Sequence, residues 1–169
     1  MNHNYIIQSL QKNAAVFSQL FISVTEEERN FRYQPEKWSL LEIVCHLYDE
    51  EREDFRARVK QILETPELPL AKIDPVGWVK ERKYSEKNFD DVVKQFLQER
   101  TNSVEWLLSL KNPKWENEYL HPKFGGMKAE MILANWLAHD FLHFRQITRT
   151  RYEYLRQTSD TDINYAGNW

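Results

Sequence analysis

Four long stretches of this chain carry apolar residues at intervals of three and four positions, and this pattern most constrains its fold. Residues at such intervals share one face of an α-helix, so each stretch predicts an amphipathic helix. Only four of the 169 residues are glycine, which disfavours a β architecture built on many tight turns. The predicted helices cover about residues 5–24, 40–63, 89–111 and 128–156.

The start of the second stretch is the best-defined helix boundary in the sequence. Ser39-Leu40-Leu41-Glu42 fits a capping box, in which the serine hydroxyl and the glutamate carboxylate each accept a backbone N–H of the other residue. Trp38 and Ile43 stand where a hydrophobic staple would form. The helix is expected to end before Thr65-Pro66, because proline disfavours helical geometry in the residue before it.

Two long connections, residues 66–85 and 114–126, follow the second and third helices. The first is too apolar for a solvated linker, so we expect it to pack across an end of the domain, and the second carries the turn signal Gly125-Gly126. Long helices joined in this way predict an all-α fold, a four-helix up-down bundle with long crossover connections. The chain length suits one domain spanning residues 1–169.

Charge and composition narrow the partners and the compartment. The 23 Lys and Arg are balanced by 26 Asp and Glu, and no basic run could follow a phosphate backbone, so we expect no nucleic-acid partner. No apolar stretch approaches the roughly 20 residues that span a bilayer, and the first residues lack the pattern of a signal peptide. Because Cys45 is the only cysteine, the composition suits a reducing cytoplasm, and any metal site must use His and carboxylate ligands.

The fourth predicted helix carries His139 and His143 one turn apart, a spacing that lets two imidazoles on one face bind a single metal ion. His46 lies in the second turn of the second predicted helix. In a helix bundle, sites form from side chains on facing helices, so these three histidines are predicted to meet. Three imidazoles would leave coordination positions open for a substrate. The main alternative is that the histidines are core residues bonded to backbone or carboxylate groups.

Polar residues at helical spacings from these histidines are candidates for further roles. Asp49, Glu50 and Glu53 follow His46 and could act as a general base, although such a charge run is typical of a solvated helix face. Asn135 and Gln146 are candidates for hydrogen bonds to the metal-binding histidines.

Three other residues are assigned no metal role. Cys45 precedes His46, and side chains of neighbouring helical residues diverge by about 100°, so Cys45 is expected in helix packing. His121, beside Pro122, is expected in a turn or at the surface. His3 is expected to be solvated near the chain terminus.

The sequence resembles the DinB/YfiT-like superfamily of small four-helix-bundle proteins with metal sites. The resemblance extends over most of the chain and depends on the order and spacing of several short motifs rather than on any one of them. These motifs are Pro35-Glu36-Lys37-Trp38-Ser39 leading to Glu42, His46-Leu47-x-Asp49, Asp74-x-x-x-Trp78, His121-Pro122 with Gly125-Gly126, and His139-Asp140-x-x-His143-x-x-Gln146-Ile147.

The resemblance implies a divalent metal, most commonly zinc or nickel, held by His46, His139 and His143 in a homodimer. It also implies a thiol transferase or isomerase that uses bacillithiol, mycothiol or glutathione as cosubstrate. Our leading hypothesis is therefore a metal-dependent thiol S-transferase that acts on small electrophiles. The alternatives are a metal-dependent hydrolase that uses activated water, and a non-catalytic, stress-related binding protein.

Overall fold

The computed structural model describes residues 1–167 and residue 169. Long helices occupy the four predicted stretches, and shorter elements fill the connections. In chain order the elements are α1 (His3–Phe21), α2 (Glu26–Asn30), α3 (Leu40–Asp49), a π-helical segment (Glu50–Phe55), α4 (Arg56–Glu64), α5 (Pro75–Glu81), a 3₁₀ turn (Tyr84–Glu86), α6 (Phe89–Ser109), strands β1 (Glu118–His121) and β2 (Gly125–Lys128), α7 (Ala129–Thr158) and a 3₁₀ turn (Asn164–Ala166).

Helices α3 and α4 are joined by the π-helical segment and lie where the sequence predicts one helix. In the π segment the backbone N–H of Arg56 donates to the carbonyl of Glu51, five residues earlier. One row of buried side chains at four-residue steps runs through the segment: Ile43, Leu47, Glu51, Phe55 and Val59. A regular α-helix would rotate such a row by about 40° at every step, because it has 3.6 residues per turn. The wider π turn offsets this rotation and keeps the row directed at the core.

The four long helical units form a bundle, as predicted. Helix α1 packs mainly against α6 and α7, and the unit of α3, the π segment and α4 packs against the same two helices. The first and second units therefore lie diagonally across the bundle instead of side by side. A diagonal placement requires the chain to cross an end of the bundle between α1 and α3 and again between α6 and α7.

The connections contain local structure that the sequence analysis did not predict. Helix α5 begins at the N-cap Asp74, whose carboxylate accepts the N–H of Gly77 at 3.0 Å, and continues with Pro75 at its first position. Strands β1 and β2 pair as an antiparallel hairpin in which His121 faces Gly125. Gly125 has a φ of 74°, a conformation that glycine adopts without strain.

Apolar side chains form two buried clusters along the bundle. One cluster is centred on α4 and the start of α7, and the other surrounds α3, the end of α1 and the start of α6. Trp136 is 1% exposed and belongs to the first cluster. Among the described residues, no helix is both long and apolar enough to cross a membrane.

Candidate metal centre

The start of α3 fixes the rotation of His46 about the helix axis. Ser39 caps the helix, with its hydroxyl accepting the Glu42 N–H at 3.3 Å and its own N–H donating to the Glu42 carboxylate at 2.9 Å, so the predicted capping box is confirmed. Arg32 also donates to this carboxylate at 2.5 Å. With its first turn held in this way, α3 directs the side chain of His46 towards α7.

The structure brings His46, His139 and His143 together at the centre of the bundle. The Nε2 atom of His139 lies 3.3 Å from Nε2 of His46 and 3.0 Å from Nε2 of His143. Candidate ligand atoms of the three residues all lie within 4.8 Å of one another. His46 and His143 are buried, while His139 is half-buried. The histidine triad, His46, His139 and His143, can therefore hold a metal ion.

The contacts within the triad cannot all be favourable hydrogen bonds between neutral imidazoles. Nε2 of His139 carries either one proton or one lone pair, so it can make a good hydrogen bond to only one of its two neighbours. The Nδ1 atoms of His46 and His143 are buried and have no hydrogen-bond partner among the described residues. A cation between the Nε2 atoms would satisfy all three lone pairs.

Protonation does not supply that cation near neutral pH. Burial, reinforced by the neighbouring imidazoles, lowers the pKa of His46 from 6.5 to about 3 and that of His139 to about 2. Burial also lowers the pKa of His143 to about 4, although the Asp140 carboxylate acts in the opposite direction. The three imidazoles are neutral at pH 7, which is the form that binds metal.

The spacing of the nitrogen atoms suits a small divalent ion. A tetrahedral zinc ion holds imidazole nitrogens at about 2.0–2.1 Å, which places them about 3.3 Å from each other. The two measured Nε2 separations are close to this value. The triad therefore fits a metal that takes three nitrogen ligands and keeps at least one further position open.

Aromatic rings form the walls of the triad. The Trp38 ring lies 4.8 Å from the His46 ring, and the Phe55 ring lies 4.9 Å from the His139 ring, measured between centroids. These side chains limit the access of water and help to fix the orientation of the imidazoles. Trp38 thus contacts a candidate ligand as well as lying beside the helix cap.

The charge run after His46 is largely buried, so the expectation of a solvated face is wrong for Asp49, Glu50 and Glu51. Asp49 accepts the hydroxyl of Tyr84 at 2.6 Å and guanidinium groups of Arg52 and Arg82 at 2.7 and 2.8 Å. Hydrogen bonds and ion pairs with these partners offset the desolvation cost of the carboxylate. They also leave Asp49 engaged in a structural network rather than free to accept a proton.

Glu53 is likewise engaged, because Arg82 donates to both of its carboxylate oxygens at 2.9 and 2.8 Å. Hydrogen bonds from Arg82 lower the pKa of Glu53 below its ordinary range. A carboxylate stabilised in its charged form is a weak base near neutral pH.

Glu50 differs from the other two carboxylates. It lies one helical turn after His46, on the same face, and its Oε1 atom is buried without a hydrogen-bond partner among the described residues. Burial and the neighbouring Asp54 raise the pKa of Glu50 to about 8. Asp54 is itself paired with Arg58. Of the three predicted bases, Glu50 alone combines a free oxygen atom with a pKa near neutrality.

The two predicted outer-sphere residues are placed differently. Asn135 is exposed, and its amide donates to the carbonyl of Met131 at 2.8 Å, so it contacts its own helix. Gln146 lies beside His143 and acts to raise the pKa of that histidine, which burial lowers more strongly. No hydrogen bond of normal length joins Gln146 to Nδ1 of His143, however.

The residues that were assigned no metal role lie outside the triad. Nδ1 of His121 accepts the N–H groups of Lys123 and Phe124 in the β-hairpin, as expected for a turn residue. His3 is half-buried rather than solvated, because it stacks on Trp115 and pairs with Glu130 at 3.2 Å. Cys45 is buried in helix packing, and its thiol faces the carbonyl of Tyr84.

A buried ionic cluster next to the triad was missed by the sequence analysis. Arg100 of α6 forms a bidentate pair with Asp140 of α7, with both N···O distances at 2.7 Å, and two contacts with Glu51 at 2.9 Å. Trp136 donates to Glu51, and Asn13 donates to Asp140. The signal for the cluster was present, because Arg100 falls in the apolar stripe of its helix, where an arginine requires a buried carboxylate.

A cavity of about 740 Å³ lies on another face of α3 and is not lined by the triad. Tyr48, Arg52, Arg82 and Lys87 are among its lining residues. Its basic side chains are matched by acidic ones such as Asp49, so it shows no charge preference for a ligand. The convergent imidazoles, and not this cavity, identify the candidate site.

The family model of the DinB superfamily matches residues 9–147, a span that includes the whole triad. The chain belongs to the DinB superfamily. A solved DinB-like structure, YfiT from Bacillus subtilis, superposes on the chain with a TM-score of 0.79 at 18% sequence identity. The match covers 90% of this chain and 87% of YfiT, which is described as a probable metal-dependent hydrolase with an unusual four-helix bundle topology. The comparison with curated proteins gives no match.

Proposed function

We propose that the chain is a metal-dependent enzyme whose divalent ion, zinc or nickel, is held by His46, His139 and His143. The convergence of three neutral, buried imidazoles on one point carries this proposal. Three neutral ligands leave the double positive charge of the ion uncompensated within the first coordination shell. When bound, such an ion acts as a Lewis acid that lowers the pKa of a thiol or of water at the site.

The reaction that we propose is transfer of a small-molecule thiol, such as bacillithiol or glutathione, to a small electrophile. The thiol loses its proton and its sulfur forms a bond to the electrophilic carbon. Either chloride leaves, or an epoxide C–O bond opens and its oxygen takes up a proton. The thiol must come from solution, because burial raises the pKa of Cys45, the only cysteine, to about 12. The family resemblance supports this choice of chemistry.

Within this site, Glu50 is proposed to take up the proton that the thiol releases. Its position one turn after His46 and its unpartnered oxygen support the role, and its raised pKa makes the ionised carboxylate a stronger base. Trp38 and Phe55 would exclude bulk water from the reacting groups. Asp49 and Glu53 would hold the backbone around Glu50 through their arginine partners.

Hydrolysis is the second candidate, with water as the nucleophile and Glu50 as the general base. The description of YfiT as a probable metal-dependent hydrolase favours it. The same residues would serve both reactions, and they differ only in whether a thiol or water attacks.

Metal binding is tested by elemental analysis of the purified chain. We expect about one transition-metal ion per chain, lost in His46→Ala and His139→Ala and retained in His121→Ala, a matched control in the hairpin. A folded chain that takes up no metal under any loading condition would contradict the proposal and favour the third reading, a non-catalytic, stress-related binding protein.

The reaction is tested by comparing two assays on the metal-loaded chain. One measures conjugation of a chlorinated aromatic or an epoxide with bacillithiol, and the other measures ester or amide cleavage without thiol. Activity in the first assay alone supports the transferase, and activity in the second alone contradicts it. In the active assay, Glu50→Gln should lower kcat about 100-fold or more and leave metal content unchanged.

We also propose that the chain works as a homodimer in the cytoplasm. Phe141 and Leu142 are 51% and 54% exposed on α7, and a second copy could cover them. Sedimentation analysis should then give twice the 20.5 kDa chain mass, and Leu142→Glu should yield the monomer. A monomer in the unaltered protein at tens of micromolar would contradict the dimer.

A further inference from the structure

The cluster formed by Arg100, Glu51 and Asp140 is among the most deeply buried polar groups in the bundle. Their exposures are 1%, 2% and 0%, respectively. The cluster contains two carboxylates and one guanidinium, so it carries one more negative than positive charge. Leaving a net charge inside a protein is costly unless an opposite charge lies nearby.

Hydrogen bonding in the cluster is complete, so an unpaired donor does not explain the extra carboxylate. Arg100 donates two hydrogen bonds to Asp140, one to Glu51 and one to the carbonyl of Leu10 at 3.3 Å, and its Nη2 atom makes a further ion-pair contact with Glu51 at 2.9 Å. The carboxylates receive further bonds from Trp136 and Asn13 at 2.9 Å each. A single carboxylate with a neutral partner would have been enough to neutralise Arg100.

The cluster adjoins the triad, where Asp140 favours positive charge on His143 and Arg100 disfavours it on His139. Asp140 falls between His139 and His143 on α7, and Glu51 lies in the π segment that follows the helix of His46. The Phe55 ring stacks on Trp136, which donates to Glu51, and also contacts His139. In such apolar surroundings, the attraction between opposite charges is stronger than it is in water.

We propose that the surplus negative charge of the Arg100–Glu51–Asp140 cluster is the counter-charge for the divalent ion at the triad. The inference rests on the proposed function, because it assigns a partner to the charge that three neutral ligands leave uncompensated. The cluster contributes to metal affinity through space, without supplying a ligand, and Glu51 and Asp140 are positioning residues.

The test compares two variants that each remove one hydrogen bond at Glu51. Glu51→Gln also removes a charge, whereas Trp136→Phe leaves the charge unchanged. Affinity is measured with Zn²⁺ alone by competition with a chromogenic chelator, and the unfolding midpoint of the metal-free protein is recorded beside it. We expect Glu51→Gln to weaken zinc binding about 10- to 100-fold and Trp136→Phe to change it less than about threefold, whatever their effects on stability.

Equal zinc affinity in Glu51→Gln and the unaltered chain would overturn the inference and leave the metal site itself intact. Equal weakening in Glu51→Gln and Trp136→Phe would also overturn it, because loss of packing would then be the cause. No zinc binding by the unaltered chain would instead reject the proposed function. If Glu51→Gln does not fold, Asp140→Asn provides the same loss of charge, with Asn13→Leu as its hydrogen-bond control.

Discussion

Because His139 is neutral in the folded chain, the free energy of unfolding should depend on pH in acid. The unfolded chain binds a proton at this residue below its ordinary pKa of 6.5, whereas burial and the neighbouring imidazoles lower the pKa to about 2 in the folded chain. Between these pH values the unfolded state holds the extra proton, so acidification destabilises the fold. Above pH 6.5 the residue contributes no pH dependence.

Replacing His139 should therefore reduce the loss of stability in acid. For the metal-free chain, we expect the free energy of unfolding of His139→Asn to fall less steeply below pH 6 than that of the unaltered chain, by up to about 1.4 kcal/mol per pH unit. Urea unfolding at pH 7, 6 and 5 measures the two slopes. Asn135→Ala, one turn earlier on α7, should keep the unaltered slope. Identical slopes for His139→Asn and the unaltered chain would contradict a neutral His139.

The sequence was sufficient to select the three histidines but not to rank the carboxylates. Helical spacing placed His139 and His143 on one face, and the bundle hypothesis brought His46 to them. Whether Asp49, Glu50 or Glu53 is free depends on Arg52 and Arg82, and Arg82 belongs to a connection with no helical register in the sequence. Long-range pairing of this kind is set by the path of the chain and leaves no local pattern.

Among the helices, the α3 unit depends most on its first turn, because that turn sets the direction of His46. The cap is satisfied twice, by Ser39 and by the Glu42 carboxylate that Arg32 also binds. A hydroxyl at this position satisfies one backbone donor that would otherwise be buried without a partner.

We expect Ser39→Ala to lower the free energy of unfolding by about 1 kcal/mol, because it removes this acceptor, and Ser39→Thr to retain most of it. Chemical denaturation of the metal-free protein provides the measurement. A stability of Ser39→Ala equal to that of the unaltered chain would mean that Glu42 and Arg32 alone hold the turn.

Helix positions were predictable because apolar spacing and cap residues are local signals. The π segment was not identified, although its trace is visible in buried positions that recur every four residues from Ile43 to Val59. The short helix α5 and the β-hairpin were also missed. They stand in segments where tertiary packing, and not periodicity, decides the backbone conformation.

On the scale of the whole molecule, the triad links the two diagonal pairs of helices. The α3 unit belongs to one pair and α7 to the other, and both supply ligands. An ion that binds only the folded chain stabilises every element that supports its ligands. The diagonal placement itself was not predictable, since four amphipathic helices with long connections can be arranged around a core in more than one spatial order.

Zinc should consequently raise the thermal midpoint of the entire chain in one transition. At a free zinc concentration 100 times the dissociation constant, the gain is about 2.7 kcal/mol, which corresponds to several degrees for a protein of this size. Differential scanning calorimetry with and without zinc measures it. His143→Ala should show no zinc-dependent shift, and a shift of the same size in that variant would place the ion elsewhere.

The burial of Cys45 has a consequence for the survival of the protein during its own proposed reaction. A catalyst that handles alkylating compounds risks modification of its own cysteine, but burial keeps this thiol protonated, with a pKa of about 12. Iodoacetamide should leave the native chain unmodified for hours and add one carbamidomethyl group after unfolding in urea, as read by intact mass. Rapid labelling of the native chain would contradict this self-protection. Burial of Cys45 would thus protect the protein from the electrophiles that its metal site would consume.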